Sequence, residues 1–326
     1  MADVTIIGAG VAGLWAAYAC LKRGLRPRII DRAGTPGPHG CSWWAGGMLA
    51  ADCEGAICEP QVITHGRNAT ALWQEVTRVT SRGTLVLAPS RDGVELDRFA
   101  ARTCGHTGCD SAKITALEPD LGGLHRRGLF FAQEAHLNPR QALSDLTQKL
   151  LSSGILVETG TVTPDDIEGP VIDCRGMAAE RDLSGLRGVR GEMVVLRSDE
   201  IVLTRPIRLL HPRHPLYVVP REGGLFMLGA TQIETASRGP IRARSVLELL
   251  STAYALDPRF AEAEVIEMGA DLRPAFCDHV PRVIRRGRVL YLNGLFRHGF
   301  LMAPTLAEQA AECLLTGKTG DLIHEN

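Results

Sequence analysis

Asp3-Val-Thr-Ile-Ile-Gly8-Ala-Gly10-Val11-Ala12-Gly13-Leu-Trp-Ala-Ala-Tyr18 is the stretch that decides the fold. Asp3 to Ile7 is a short apolar, β-branched run that leads straight into the three spaced glycines. Leu14 to Arg23 then reads as a helix, with Leu14, Ala17, Tyr18 and Leu21 on one face. Pro27 to Ile30 is a second strand, and Asp31-Arg32 stands at its end. Strand, glycine turn, helix, strand, acid is the order of a dinucleotide-binding βαβ unit. Gly8 allows the tight turn, Gly10 lets backbone approach a pyrophosphate, and Gly13 lets the helix pack close to the strand. The helix N-terminus presents N–H groups and a positive dipole end to phosphate. Asp31 can accept hydrogen bonds from both hydroxyls of an adenosine ribose. The motif by itself serves FAD and NAD alike.

The whole chain has 326 residues, 45% of them hydrophobic, which is enough for a large core and one or two domains. A net charge of −1 gives no sign of a nucleic-acid surface or a basic membrane patch. No apolar run approaches the ~18–20 residues that span a bilayer. No basic stretch precedes the first apolar run, so a cleaved signal peptide is not expected. The nine cysteines are scattered without framework spacing. They read as reduced thiols in a cytoplasmic protein. Cys53/Cys58 and Cys104/Cys109 lack matching partner pairs, so no metal site is expected.

Beyond the opening unit, residues 33–40 form a loop, and Cys41-Ser42-Trp-Trp-Ala45-Gly46-Gly47-Met48 carries small residues that permit close backbone approach to a ligand. A helix is expected over 61–80, a strand at Thr84–Ala88, a helix at Asp92–Arg102 and a strand at Gly128–Phe131, with a polar stretch carrying Cys104 and Cys109 over 103–112. Pro139 suits the first turn of a helix reaching Ser152. Ile155–Glu158 and Pro170–Asp173 read as buried parallel strands, the second ending at Arg175-Gly176. From 190 to 235 the runs Met193–Leu196, Ile201–Leu203, Leu216–Val219 and Leu225–Leu228 read as an antiparallel sheet. A helix over Ile241–Leu256, an extended Gly269–Pro274 and a buried strand Val289–Asn293 follow. The closing helix is expected from Pro304 to Leu315, with Thr305 and Glu308 as a capping box, and 317–326 as a loose tail. The parallel elements occupy both ends and the middle, with antiparallel material between them. This predicts an α/β fold: a Rossmann-type dinucleotide-binding domain from 1–80, 138–185 and 270–326, interleaved with a smaller antiparallel-sheet substrate domain from 81–137 and 186–269.

Five stretches, in order, then carry a resemblance: Gly8 to Gly13, Ser42 to Met48-Leu49, Tyr217-Val-Val-Pro220 followed by Gly229-Ala-Thr231, Leu272-Arg273-Pro274, and Phe296-Arg297-His298-Gly299. Nearly the whole chain resembles the D-amino-acid oxidase superfamily of flavoproteins, and within it the glycine oxidases of thiamine biosynthesis. The resemblance implies FAD, held noncovalently. Cys277 lies a few residues past the place where relatives in the sarcosine oxidase branch carry a flavin-linked cysteine. The cofactor contacts implied are Gly8, Gly10, Val11, Ala12, Gly13, Asp31, Arg32, Ser42, Ala45, Gly46, Gly47, Met48, Val162, Arg175, Gly176, Arg273 and Arg297. His298, Gly299, Phe300, Leu301 and Met302 complete them, along the pyrimidine end of the flavin.

The resemblance also implies roles at the substrate. Arg273 pairs with the substrate carboxylate through a planar fork that lysine cannot supply. Tyr217 donates to the same carboxylate, Arg297 stands near the amine end, and Met48 packs beside flavin and substrate. The activity implied is oxidative deamination of glycine, or of sarcosine or a small D-amino acid, to imine or glyoxylate, ammonia and hydrogen peroxide. Dioxygen is the implied acceptor. A homo-oligomer and a thiazole synthase partner are compatible with that role. A dehydrogenase with another acceptor, and a flavoprotein that modifies a partner protein, are the alternatives. Gln232 after Gly-Ala-Thr, and Trp43-Trp44 in place of small residues, depart from the family pattern.

Overall fold

The computed structural model describes residues 3–325; Met1, Ala2 and Asn326, at the outer ends of the expected 1–80 and 270–326 segments, lie outside the described residues. The opening unit forms β1 (Val4–Ile7), α1 (Val11–Lys22) and β2 (Pro27–Asp31). β1 is buried at every residue and α1 from Val11 through Cys20, because elements pack on both faces of the sheet. β1 lies at the heart of a seven-stranded sheet. Its order is Ile323–Glu325, Arg282–Arg286, Val289–Asn293, Val171–Asp173, β1, β2, Val157–Thr159. Neighbours run parallel except the Arg282–Arg286/Val289–Asn293 hairpin. Helices α2 (Pro139–Ser152) and α3 (Gly299–Thr316) pack with α1 over one face, sharing a core that includes Ile6, Leu14, Trp15, Leu143 and Leu306.

The second sheet has nine strands: Ile233–Glu234, β3 (Arg187–Arg197), Leu225–Gly229, β4 (Leu216–Arg221), Ile207–Leu209, Thr84–Leu87, Arg127–Phe131 and Thr107–Asp110, with β5 (Glu264–Ala275) on the free side of β3. It is antiparallel except where Ile207–Leu209 runs parallel to Thr84–Leu87. β5 is continuous from Glu264 to Ala275, so the division expected at 269/270 runs through a strand.

Several local expectations change. The run Ile201–Leu203 is loop: its segment has no strand neighbour, and the N–H of Val202 goes to the Asp120 carboxylate at 2.6 Å and that of Thr204 to Glu118 at 3.0 Å. Residues 61–80 hold two short helices, Pro60–Gly66 and Ala69–Gln74, broken just after Gly66, where a Cβ would meet Leu301 at 2.8 Å. The polar stretch 103–112, given no element by its sequence, contains a strand, Thr107–Asp110. The tail is not loose, for Ile323–Glu325 adds a strand beside Arg282–Arg286.

The closing helix starts at Gly299, five residues early, with Pro304 inside it and no capping box at Thr305. Proline removes the hydrogen bond to the carbonyl four residues back. Here that carbonyl, of Phe300, accepts from the Trp73 indole N–H at 2.7 Å, so the helix continues through Pro304. No helix among the described residues is long and apolar enough to cross a membrane.

Candidate functional site

A cavity of about 1090 Å³ is lined from both sheets. One end lies at β1, α1 and β2. Gly8 takes φ +103°, and a Cβ there would sit 2.6 Å from the carbonyl oxygen of Cys174. A Cβ on Gly13 would lie 1.8 Å from the carbonyl oxygen of Gly8, so only glycine lets α1 start this close to the turn. α1 has no side-chain cap at Gly10, although the N–H of Val11 donates to the Ser42 hydroxyl at 3.1 Å. Its N-terminus therefore opens into the cavity with backbone donors directed toward it. The Asp31 carboxylate accepts from the N–H groups of Ala9 and Ala33, each at 2.8 Å, which aims it at the same space. This cradle, narrow enough that a side chain at Gly8 would collide with backbone, fits a dinucleotide laid over the helix start with its ribose at Asp31.

Farther in, Arg273 on β5 lies flat against Gly191 of β3, where a Cβ would meet its guanidinium nitrogen at 2.1 Å. Among the described residues it pairs with no carboxylate; its one described hydrogen bond is Nη1 to the Thr231 carbonyl, 3.3 Å. Thr231 is itself fixed to β3, since the N–H of Glu192 donates to its hydroxyl at 3.0 Å and its own N–H donates to the Glu192 carbonyl at 3.2 Å. Burial pulls the Arg273 pKa below that of a free guanidinium, which leaves a cation with most of its donors unspent. The Tyr217 ring, on β4, passes over two glycines. A Cβ on Gly46 would lie 3.0 Å from the ring and one on Gly229 2.4 Å from the phenolic oxygen. A guanidinium and a phenol at one cavity wall form a receptor for a carboxylate.

A third group surrounds Glu54, at the end of the short helix Ala51–Glu54. Its carboxylate accepts from Arg297 Nε at 2.9 Å and Nη2 at 3.0 Å, and from Arg208 Nη2 at 2.9 Å. His298 Nδ1 lies 3.5 Å from the same carboxylate, and its Nε2 lies 3.3 Å from Cys58 Sγ. Burial opposes the charge on Glu54, yet Arg297 and Arg208 outweigh it and hold the carboxyl well below its usual range. Burial pushes His298 down to about 4 and the Cys58 thiol up. Glu54, Cys58 and His298 are close enough together to hold a metal ion, but two guanidinium groups already occupy the carboxylate oxygens.

Of the residues expected at the site, all but Gly13 and Met302 line this cavity. Gly13 faces Gly8, and Met302 is fully buried one residue past the cavity wall, on the core side of α3. The Arg175 side chain points away to Asp173 and Asp182, at 2.6 Å each, so it contributes backbone rather than charge. Arg297 is held by Glu54 instead of standing free for an amine. Glu54 and Arg208 were not anticipated. Arg208 left a signal, being one arginine inside the apolar run Ile207–Leu210; Glu54 left none.

A family model described as FAD dependent oxidoreductase (DAO) matches residues 3–313. A Rhizobium etli protein, named as a candidate thiamine biosynthesis oxidoreductase ThiO, is 51% identical over 316 residues that cover 96% of each chain. The bifunctional protein ThiO/ThiG of Trichormus variabilis is 24% identical over 356 residues, covering 98% of this chain and 54% of the longer protein. The crystal structure of glycine oxidase from Geobacillus kaustophilus is similar in fold, with a TM-score of 0.82 at 22% identity over 98% of this chain and 96% of that one.

Proposed function

Because this chain belongs to the DAO family of FAD-dependent oxidoreductases, we propose that it oxidatively deaminates glycine, or a close analogue such as sarcosine or a small D-amino acid. The products are the imine or glyoxylate, ammonia and hydrogen peroxide, and the reaction serves thiamine thiazole synthesis. The observation that carries this reading is Arg273: a guanidinium at the cavity wall with no carboxylate partner among the described residues, beside the Tyr217 phenol.

A substrate carboxylate completes Arg273 with two parallel charge-assisted bonds and takes a third from Tyr217. Fixing the carboxylate at that wall fixes the direction of the Cα–H bond, and positioning of this kind supplies much of the catalysis. The amine enters neutral, so activity falls at low pH. FAD bound in this cavity would supply the two-electron acceptor for the Cα hydrogen, with dioxygen as the terminal acceptor. Gly8, Gly10 and the start of α1 hold its pyrophosphate and Asp31 its ribose. The backbone of 45–48 and 297–301 borders its ring. No side-chain base at Cα is required of this chain, which supplies orientation and charge.

The fused ThiO/ThiG relative supports a thiazole synthase as the partner that consumes the imine. The test is an anaerobic absorbance spectrum of the purified protein before and after glycine. Bleaching of the flavin band within seconds, with peroxide on re-aeration, is the expected result. A flavin that stays oxidised with glycine, sarcosine and D-alanine overturns the substrate assignment. Reduction without peroxide moves the protein to another electron acceptor.

A further inference from the structure

The cluster around Glu54 joins three separate parts of the chain. Glu54 follows the segment 45–48, Arg208 comes from the nine-stranded sheet, and Arg297 comes from the loop that opens α3. All three are largely buried, with side-chain exposures of 8%, 11% and 15%, and all three line the cavity. Two cations share one anion.

The remaining titratable neighbours add no charge. Burial keeps the Cys53 and Cys58 thiols protonated and His298 neutral. Glu134, which accepts from the N–H of Cys53 at 2.7 Å, is pushed up to about 7 by burial and is neutral below that pH. The cluster therefore carries one uncompensated positive charge in a site poorly screened by water, where a unit charge acts strongly.

We propose that Glu54 and Arg208 are the charge-setting residues of this cavity: Glu54 positions Arg297 and cancels one positive charge, and Arg208 supplies the excess that receives the negative charge arising on cofactor reduction. A neutral flavin that takes two electrons and one proton from the amine gains one negative charge, and the cluster offers one positive charge to meet it. The arrangement also explains why Arg297, beside a substrate site, is tied to a carboxylate. Free, it would compete with Arg273 for the substrate's carboxylate; held, it adds field without adding a second docking point. The inference rests on the family's cofactor lying in this cavity, and not on which amine is oxidised.

The test is the midpoint potential of the bound flavin in holoenzyme at about pH 6, with steady-state kinetics on the same preparations. Glu54→Gln adds net positive charge, so its potential rises. Arg208→Gln removes it, so its potential falls. Each shift is expected to reach about tenfold in the two-electron equilibrium, about 30 mV. The double variant Glu54→Gln/Arg208→Gln restores the net charge and returns the potential close to wild type. Its kcat stays low because Arg297 has lost its anchor. A packing role alone would move both single variants in one direction or in neither, and that outcome overturns the proposal. If Glu54→Gln does not fold, Arg208→Gln still decides the sign, since it leaves the Glu54–Arg297 pair intact. Failure to oxidise glycine would overturn the substrate reading and leave the potentials to judge this one.

Discussion

The indole N–H of Trp73 donates to the carbonyl oxygen of Phe300 at 2.7 Å, the acceptor that Pro304 leaves without its helical partner. The two rings also stack, with centroids 5.4 Å apart. A side chain on one short helix thus completes the first turn of another, and that turn borders the cavity. Trp73→Phe keeps the stacking and removes the donor. A buried carbonyl left unsatisfied costs about 1–3 kcal/mol. Chemical denaturation should show a loss in that range, and FAD should dissociate more readily from the variant, as followed by flavin fluorescence. Unchanged stability would mean that the Phe300 carbonyl finds another donor.

Arg273→Lys replaces the planar fork with a single ammonium. Charge-assisted bonds of this type contribute about 1.5–3 kcal/mol. The KM for glycine should rise about 10–100-fold, and the melting temperature should hold, because Arg273 pairs with no carboxylate among the described residues. Steady-state kinetics beside a thermal melt checks both halves. An unchanged KM would remove Arg273 from the carboxylate site.

Gly229→Ala places a Cβ 2.4 Å from the Tyr217 hydroxyl, so the ring must move. Gly46 also lies beside the ring, near enough that a Cβ there would come within 3.0 Å of it. The variant should bind FAD normally and lose affinity for glycine, with KM raised roughly tenfold, the worth of one hydrogen bond to a charged group. A parallel loss in Tyr217→Phe, without further loss in the double variant, would identify the displaced phenol as the cause.

Glu134 gives a pH signature. Burial raises its carboxyl to about 7 from an ordinary 4.5. Between those values the folded protein holds a proton that the unfolded chain has released, so this group's contribution to stability falls as pH rises through that window. The full span is about 3 kcal/mol. Glu134→Gln should therefore gain stability over wild type from pH 5 to pH 8. His136 and His298, both pushed down to about 4 by burial, act in the opposite direction below 6.5 in both proteins and cancel in the comparison. Denaturant midpoints at the two pH values test it, and a constant difference would remove Glu134 as the source.

What the sequence could show depended on whether a residue's reason was local. Gly8, Gly10, Gly13 and Asp31 are legible because their spacing is set within one βαβ unit, although the Cys174 carbonyl that crowds Gly8 comes from outside it. Arg273 and Tyr217 were legible through resemblance, and the structure supplies the glycines at 46, 191 and 229 that make room for them. The start of α3 was misplaced because proline normally marks a beginning; the donor that compensates Pro304 lies more than two hundred residues away in sequence, at Trp73. The same holds for Glu54, whose partners Arg208 and Arg297 are 154 and 243 positions distant. The loop at Ile201–Leu203 reads as a strand by composition, but its neighbouring N–H groups are satisfied by carboxylates from residues 118 and 120.

The strand order of the seven-stranded sheet also governs the order in which the chain can assemble during synthesis. β1 emerges from the ribosome with only β2 to pair with; its other neighbour is Val171–Asp173, whose own far side waits for Val289–Asn293. At about 5–20 residues per second, the apolar strand β1 stays half-covered for on the order of 7–28 s, until Val171–Asp173 is made. The glycine turn beside it is not a complete cofactor pocket until Cys174 and, later, residues 297–301 are in place. Flavin capture therefore waits for the second half of the chain, whereas β1 needs only Val171–Asp173 to be covered on both sides.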